Sequence, residues 1–266
     1  MRNLSVEQSL IKAKSYVNKG EIREAQKIYE TILKNFSNNL RAQQGLAALK
    51  NYKINKNTQC SPQEVFNRLV NLYNQGQFGE VVDQAEALIK QYPKAILIWN
   101  ILGISRSQIG MFEEAIEAYK KTISLKPDFA EAYCNMGLAL SNQGKLEESV
   151  EAYKKSILLN PNDADTYFNL GIVLKDQGKF AESIDAYKKS ISLKPDFVEA
   201  YNNMGTALKD FGMLEDAVLA YKKTLLFKPD HAEAYNNLGI CLSKQGKLDE
   251  SVASYKKAIL LKPDYY

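Results

Sequence analysis

Asn135, Asn169, Asn203 and Asn237 follow one another at intervals of 34 residues, and Asn67 stands two such intervals upstream of Asn135. An asparagine amide offers one acceptor and two donor hydrogens, so it can pair with both the C=O and the N–H of a peptide bond. Four residues before each member of the run Asn135–Asn237 stands a carboxylate: Glu131, Asp165, Glu199 and Glu233. Three residues after each stands Leu138, Ile172, Thr206 or Ile240. Such a set can hold an extended chain by its main chain. It cannot catalyse: the sequence has no phosphate loop, no nucleophile-base arrangement and no metal cluster. The lone histidine, His231, reads as a packing residue, and Cys60, Cys134 and Cys241, without motif spacing, read as packed thiols. No enzyme activity, cofactor or metal is expected.

The elements that carry these residues are set by the same period. Gly137, Tyr153 and Pro161 recur every 34 residues through the chain, which means stacked units that bury their faces on one another. Within residues 130–163, Tyr133, Met136, Gly137 and Leu140 fall at i, i+3, i+4 and i+7 and predict one face of a first helix. Gly144 predicts its left-handed stop, Leu146 and Tyr153 pack a second helix against it, and Pro161 ends that helix. Gly137 and Ser149 are expected to let the two helices approach closely. At 100° per residue, the acid, the asparagine and the apolar residue of each unit point away from the packed stripe, onto one exposed face. Asparagine is a poor helix former, so propensity does not explain a mid-helix row of it. In the unit at 96–129 the same face carries Leu97, Ile101 and Ile104, an apolar patch suited to anchoring a side chain.

This pattern resembles the tetratricopeptide repeat (TPR), a helix-turn-helix unit. The match covers six units, at 62–95, 96–129, 130–163, 164–197, 198–231 and 232–265, the first being the loosest. The resemblance implies an all-α fold, a right-handed α-solenoid or superhelix of helical hairpins, with first helices lining a concave groove. The asparagine row looks like the ladder in the superhelix of O-linked N-acetylglucosamine transferase, which holds acceptor peptides by their main chain. Helices about 8–10 Å apart would meet an extended peptide, advancing roughly 3.3 Å per residue, at about every third residue. The competing reading is that the asparagines bond between neighbouring helices. A clamp for a C-terminal carboxylate needs cations in the groove, and here the groove row is acidic. The acidic row also speaks against RNA and against the pentatricopeptide family. The expected partner is a protein or peptide in extended conformation, with neutral or basic side chains.

Residues 1–61 are a different region. Residues 6–36 look like a degenerate hairpin of the same kind, 40–49 a third helix within a head of 1–50, and 51–61 a polar linker. Residues 1–61 hold 11 Lys and Arg against 4 Glu, net +7, whereas 62–266 hold 24 against 27, net −3. The lysines of the head are scattered along helices, so a solvated face is favoured over a nucleic-acid patch. There is no apolar run long enough to span a membrane and no signal-peptide pattern at Met1–Glu7, so a cytoplasmic protein is expected. Pro263, Asp264 and Tyr265 align with Pro127, Asp128 and Phe129, where a seventh unit would begin without a polar cap. Two alternatives follow. One is self-association through that repeat; the other is the substrate-recruiting arm of a larger glycosyl- or sulfotransferase, as in the bacterial repeat proteins that the N-terminal segment resembles.

Overall fold

The computed structural model describes residues 5–18, 21–57 and 62–263, and among them every regular element is helical. The chain divides into two compact units at Arg68/Leu69. No helix among the described residues is long and apolar enough to cross a membrane.

The N-terminal unit holds α1 (Val6–Asn18), α2 (Ile22–Asn35), α3 (Leu40–Asn57) and the start of α4 (Pro62–Asn74). A capping box opens α1: Ser5 Oγ accepts from the Gln8 amide at 3.2 Å, and Gln8 Oε1 accepts from the Ser5 amide at 3.0 Å. Leu10, Ala13, Ala25, Tyr29, Ile32, Ala42 and Leu49 form the core of this unit. The helix α3 runs through residues 51–57, which were expected to belong to a linker. No proline or glycine stands between Gly45 and Pro62 to stop it. Residues 58–61, with Cys60, lie outside the described residues.

The second unit continues through α5 (Phe78–Gln91) and then five hairpins. These are α6 (Ile96–Gln108) with α7 (Phe112–Leu125), α8 (Ala130–Asn142) with α9 (Leu146–Leu159), and α10 (Ala164–Asp176) with α11 (Phe180–Leu193). They continue with α12 (Val198–Phe211) and α13 (Leu214–Phe227), then α14 (Ala232–Lys244) and α15 (Leu248–Leu261). Each first helix stops the same way. After α8, the Lys145 amide donates to the Leu140 carbonyl at 3.0 Å and the Gly144 amide to the Ser141 carbonyl at 2.9 Å. This closed turn requires a left-handed residue, and Gly144 has φ +74°.

Inside each hairpin a tyrosine of the second helix lies against a glycine of the first. Tyr119, Tyr153, Tyr187 and Tyr221 are fully buried. A Cβ built on Gly171 would stand 2.6 Å from the Tyr187 ring. The cores also run across hairpin boundaries: Ile184 and Tyr187 of α11 share one with Leu208 of α12, Tyr221 of α13 and Leu242 of α14. Ser149 and Ser183 are more than small. Each donates from Oγ to the carbonyl of the paired glycine, Gly137 or Gly171, at 2.7 Å. Where alanine stands there instead, at Ala115 and Ala217, Thr122 and Thr224 bond back to Ala118 and Ala220 within their own helix.

The two kinds of glycine predict two different failures. Gly178→Ala meets nothing within 4 Å but must hold φ +73°, and is expected to cost about 1–2 kcal/mol of conformational energy. Gly171→Ala has ordinary helical geometry, yet must displace a buried ring, and overpacking of that kind costs about 1–3 kcal/mol. Urea denaturation of each variant measures both, and wild-type stability in either would refute the corresponding account.

Candidate functional site

The first helices form one continuous inner face. Close backbone approaches join α6 to α8, α8 to α10, α10 to α12 and α12 to α14, while among the described residues the backbone of no second helix from α7 onward comes as near to that of another second helix. Hairpins that meet on the first-helix side and part on the other curve with α6, α8, α10, α12 and α14 inside.

The asparagine row lies on that face. Asn135, Asn169 and Asn203 are half-buried, and Asn237 retains 9% exposure. The side chains of Asn135, Asn203 and Asn237 make no hydrogen bond among the described residues. Asn169 differs. Its side chain lies near the Cys134 thiol, to which Thr166 Oγ1 donates at 3.3 Å. Burial pushes the Cys134 thiol up, and the Thr166 hydrogen bond and the nearby Asn169 amide act against that shift. Asn67 is exposed on α4 and belongs to the N-terminal unit, so the continuous row has four members.

The carboxylates of Glu131, Asp165, Glu199 and Glu233 are exposed on the same first helices. Glu131 Oε1 accepts from Asn100 Nδ2 of the preceding first helix at 3.2 Å. Asn100 and its counterpart Asn202 are buried, and the Oδ1 of each has no partner. Sequence reasoning missed both. They sit one residue before the predicted row, and the same helical angle would have placed them at its border.

Between the asparagines, Leu138 is exposed and Ile172, Thr206 and Ile240 are half-buried. Tyrosine hydroxyls reach up from below: Tyr119 pairs with Ser107 at 3.3 Å and Tyr221 with Thr206 at 3.2 Å. The expected apolar patch on α6 is corrected at its centre. Ile101 is only 6% exposed, and Ile104 packs against the core of Ala115, Ile116 and Tyr119, leaving Leu97 as the open member. The reason is that the apolar residues Leu97, Ile98, Ile101, Leu102 and Ile104 point to several sides of α6, and such a stretch is covered on more than one.

His231 is a helix cap as well as a boundary residue: its Nδ1 accepts from the Ala234 amide at 3.2 Å at the start of α14. Cys134 and Cys241 are free thiols, and burial pushes the Cys241 thiol up. No cluster of three or more His, Cys, Asp or Glu among the described residues could hold a metal ion.

Profiles described as TPR repeat or tetratricopeptide repeat match residues 9–39, 107–144, 142–178, 173–212, 198–231 and 232–265. The chain is a tetratricopeptide repeat protein. The hairpin stack is therefore a TPR α-solenoid, and residues 9–39 add a TPR unit at the N-terminal end. Solved structures agree. A crystal structure of MamA is 29% identical with a TM-score of 0.59, covering 61% of this chain and 95% of that one. MamA residues 41-end from Desulfovibrio magneticus RS-1 is 20% identical with a TM-score of 0.61, covering 64% and 96%. YrrB, described as a TPR protein with an unusual peptide-binding site, is 21% identical with a TM-score of 0.61, covering 68% and 93%. A search of curated proteins gives no match.

Proposed function

We propose that this TPR protein is a non-catalytic scaffold that binds an extended peptide segment along the inner face of α8, α10, α12 and α14. One observation carries the reading. Asn135, Asn203 and Asn237 are partly or largely buried on that face, yet their side-chain amides have no partner among the described residues. These amides reach solvent, so they can exchange water for a peptide main chain, which supplies both a donor and an acceptor. The ladder resembles that of the O-linked N-acetylglucosamine transferase superhelix, and YrrB, of the same fold, is described with a peptide-binding site. Four row carboxylates favour a partner with neutral or basic side chains and disfavour nucleic acid.

The test replaces Asn135, Asn169, Asn203 and Asn237 together with alanine, using peptides selected from a random display library against the wild-type chain. At about 0.5–1.5 kcal/mol per hydrogen bond, affinity is expected to fall by roughly thirty-fold or more. Thermal stability should hold or rise, because alanine is the better helix former. Peptides that bind the quadruple variant at wild-type strength would refute the ladder.

A second reading is self-association through α15. Val252 is 49% exposed where its counterpart Val218 is 7% exposed, and Leu248 and Ile259 are exposed beside it. Light scattering over a concentration series distinguishes a growing mass from a constant one.

A further inference from the structure

We propose that the outer face of the repeat at residues 198–231 is a second docking site, fitted to an acidic amphipathic helix from another protein. It rests on observations separate from the asparagine row.

A cavity of about 240 Å³ opens between α11, α12 and α13. Its floor is Tyr201, Met204 and Leu208, its rim carries Leu219, and Lys188 and Lys223 flank it, with Asp216 as the one carboxylate. The chain contains its own reference for this site. Two repeats earlier, Tyr133, Met136 and Leu140 floor an equivalent cavity of about 460 Å³ between Lys120 and Lys155. There the rim is acidic, formed by Glu147, Glu148 and Glu151.

Leu219 stands where the three preceding repeats have Glu117, Glu151 and Asp185. In two of those repeats the carboxylate neutralises a lysine of the next turn: Lys154 pairs with Glu151 at 3.0 Å and Lys188 with Asp185 at 3.8 Å. Leu219 offers no such partner, and Lys222 and Lys223 make no ion pair among the described residues. The single change thus has two effects on one surface. It exposes a leucine to 62%, and it removes the carboxylate that pairs with the counterpart of Lys222 in two sister repeats. Leu226, seven residues on and also exposed, extends the apolar line along the same face of α13.

A solvent-facing helix position that is acidic in sister repeats has no packing reason to be leucine. An apolar slot bordered by Lys188 and by Lys223, the latter without an ion pair among the described residues, is complementary to a large apolar side chain flanked by carboxylates. A helix presents that combination at i, i+3, i+4 and i+7. Charge complementarity of this kind selects the partner and speeds its arrival, while the buried side chain holds it.

The probe is a short fluorescein-labelled peptide with leucines at i, i+3 and i+7 and glutamates elsewhere, titrated with the full chain and followed by anisotropy. Saturable binding is expected, weakened roughly ten-fold or more by Leu219→Glu, since burying a leucine is worth about that much. Leu219→Glu reproduces the residue at 151 and so leaves the fold intact. Paired Lys222→Glu and Lys223→Glu substitutions should weaken binding further and flatten its salt dependence. The quadruple asparagine variant should bind the probe as the wild type does, which separates this site from the groove. No binding of the probe, or undiminished binding to Leu219→Glu, would overturn the proposal. So would a Leu219-dependent association with phosphatidylserine vesicles in place of the peptide, or a Leu219-dependent dimer of the chain alone.

Discussion

Tyr187→Ala is expected to cost about 3–5 kcal/mol and to divide the unfolding of the TPR stack into two steps. The ring is fully buried, lies against Gly171, and sits 6.0 Å from the ring of Phe168. It also belongs to the core that joins α11 to α14. Stability in a stack is a sum of unit and neighbour terms, so a cavity at a central interface removes coupling as well as packing. Urea denaturation followed by helix signal should change from one transition to two, and a single unshifted transition would contradict the assignment. Tyr187→Phe separates ring from hydroxyl. Ser183 lies near enough to ease the burial of that hydroxyl, but it gives its own proton to the Gly171 carbonyl at 2.7 Å. The Tyr187 hydroxyl is left without a geometrically sound hydrogen bond. Its removal should be neutral or slightly stabilising, because the lost group was an unmet buried polar one. Tyr221→Phe should instead cost about 0.5–1.5 kcal/mol, since Thr206 loses a partner.

Alkali should unfold the protein abruptly. Burial raises Tyr119, Tyr153, Tyr187 and Tyr221 well above the ordinary tyrosine value of 10.0. Below pH 10 these phenols are protonated in both states and contribute no pH dependence. Above it the unfolded chain releases their protons while the folded chain keeps them, so stability falls as pH rises towards the folded values. Each phenol contributes about 1.4 kcal/mol per pH unit in that window, and the four together roughly 5.6 kcal/mol per pH unit. Typical domain stability is about 5–15 kcal/mol, so one to three pH units should suffice. Absorbance of tyrosinate and loss of helix signal should then rise together. Ionisation of these four phenols with helices intact would show that they are not sealed in the stack.

Much of this architecture is legible in the residues. The period gives the hairpin, Gly144 gives the turn that proved left-handed, and the recurring Tyr153 gives the filled space between helices. The inner face is legible as an angle around a helix. What that angle meets is not, because periodicity on one helix says nothing of the neighbour that covers it. Ile101 shares its register with Asn135, yet it is buried, since the apolar residues of the first half of α6 point to several sides of the helix. Arg106 likewise stands in the register of Leu140. Its guanidinium reaches Glu86 at 2.8 Å and the Glu114 carbonyl at 3.0 Å, tying α5, α6 and α7 together. The serines at 149 and 183 look merely small until the carbonyls of Gly137 and Gly171 are placed beside them. The extension of α3 was hidden because polar residues lacking an apolar rhythm resemble a linker, although none of them breaks a helix.

The line of close backbone approaches between first helices, with none between second helices among the described residues, has a mechanical meaning. The stack is stiff against further closing, where backbones already meet, and compliant towards opening, where only side-chain packing resists. It behaves as a leaf spring pivoted on its inner edge. Tension along the chain would therefore straighten the second unit before melting any helix, and would widen the spacing of the outer ridges more than that of the inner ones.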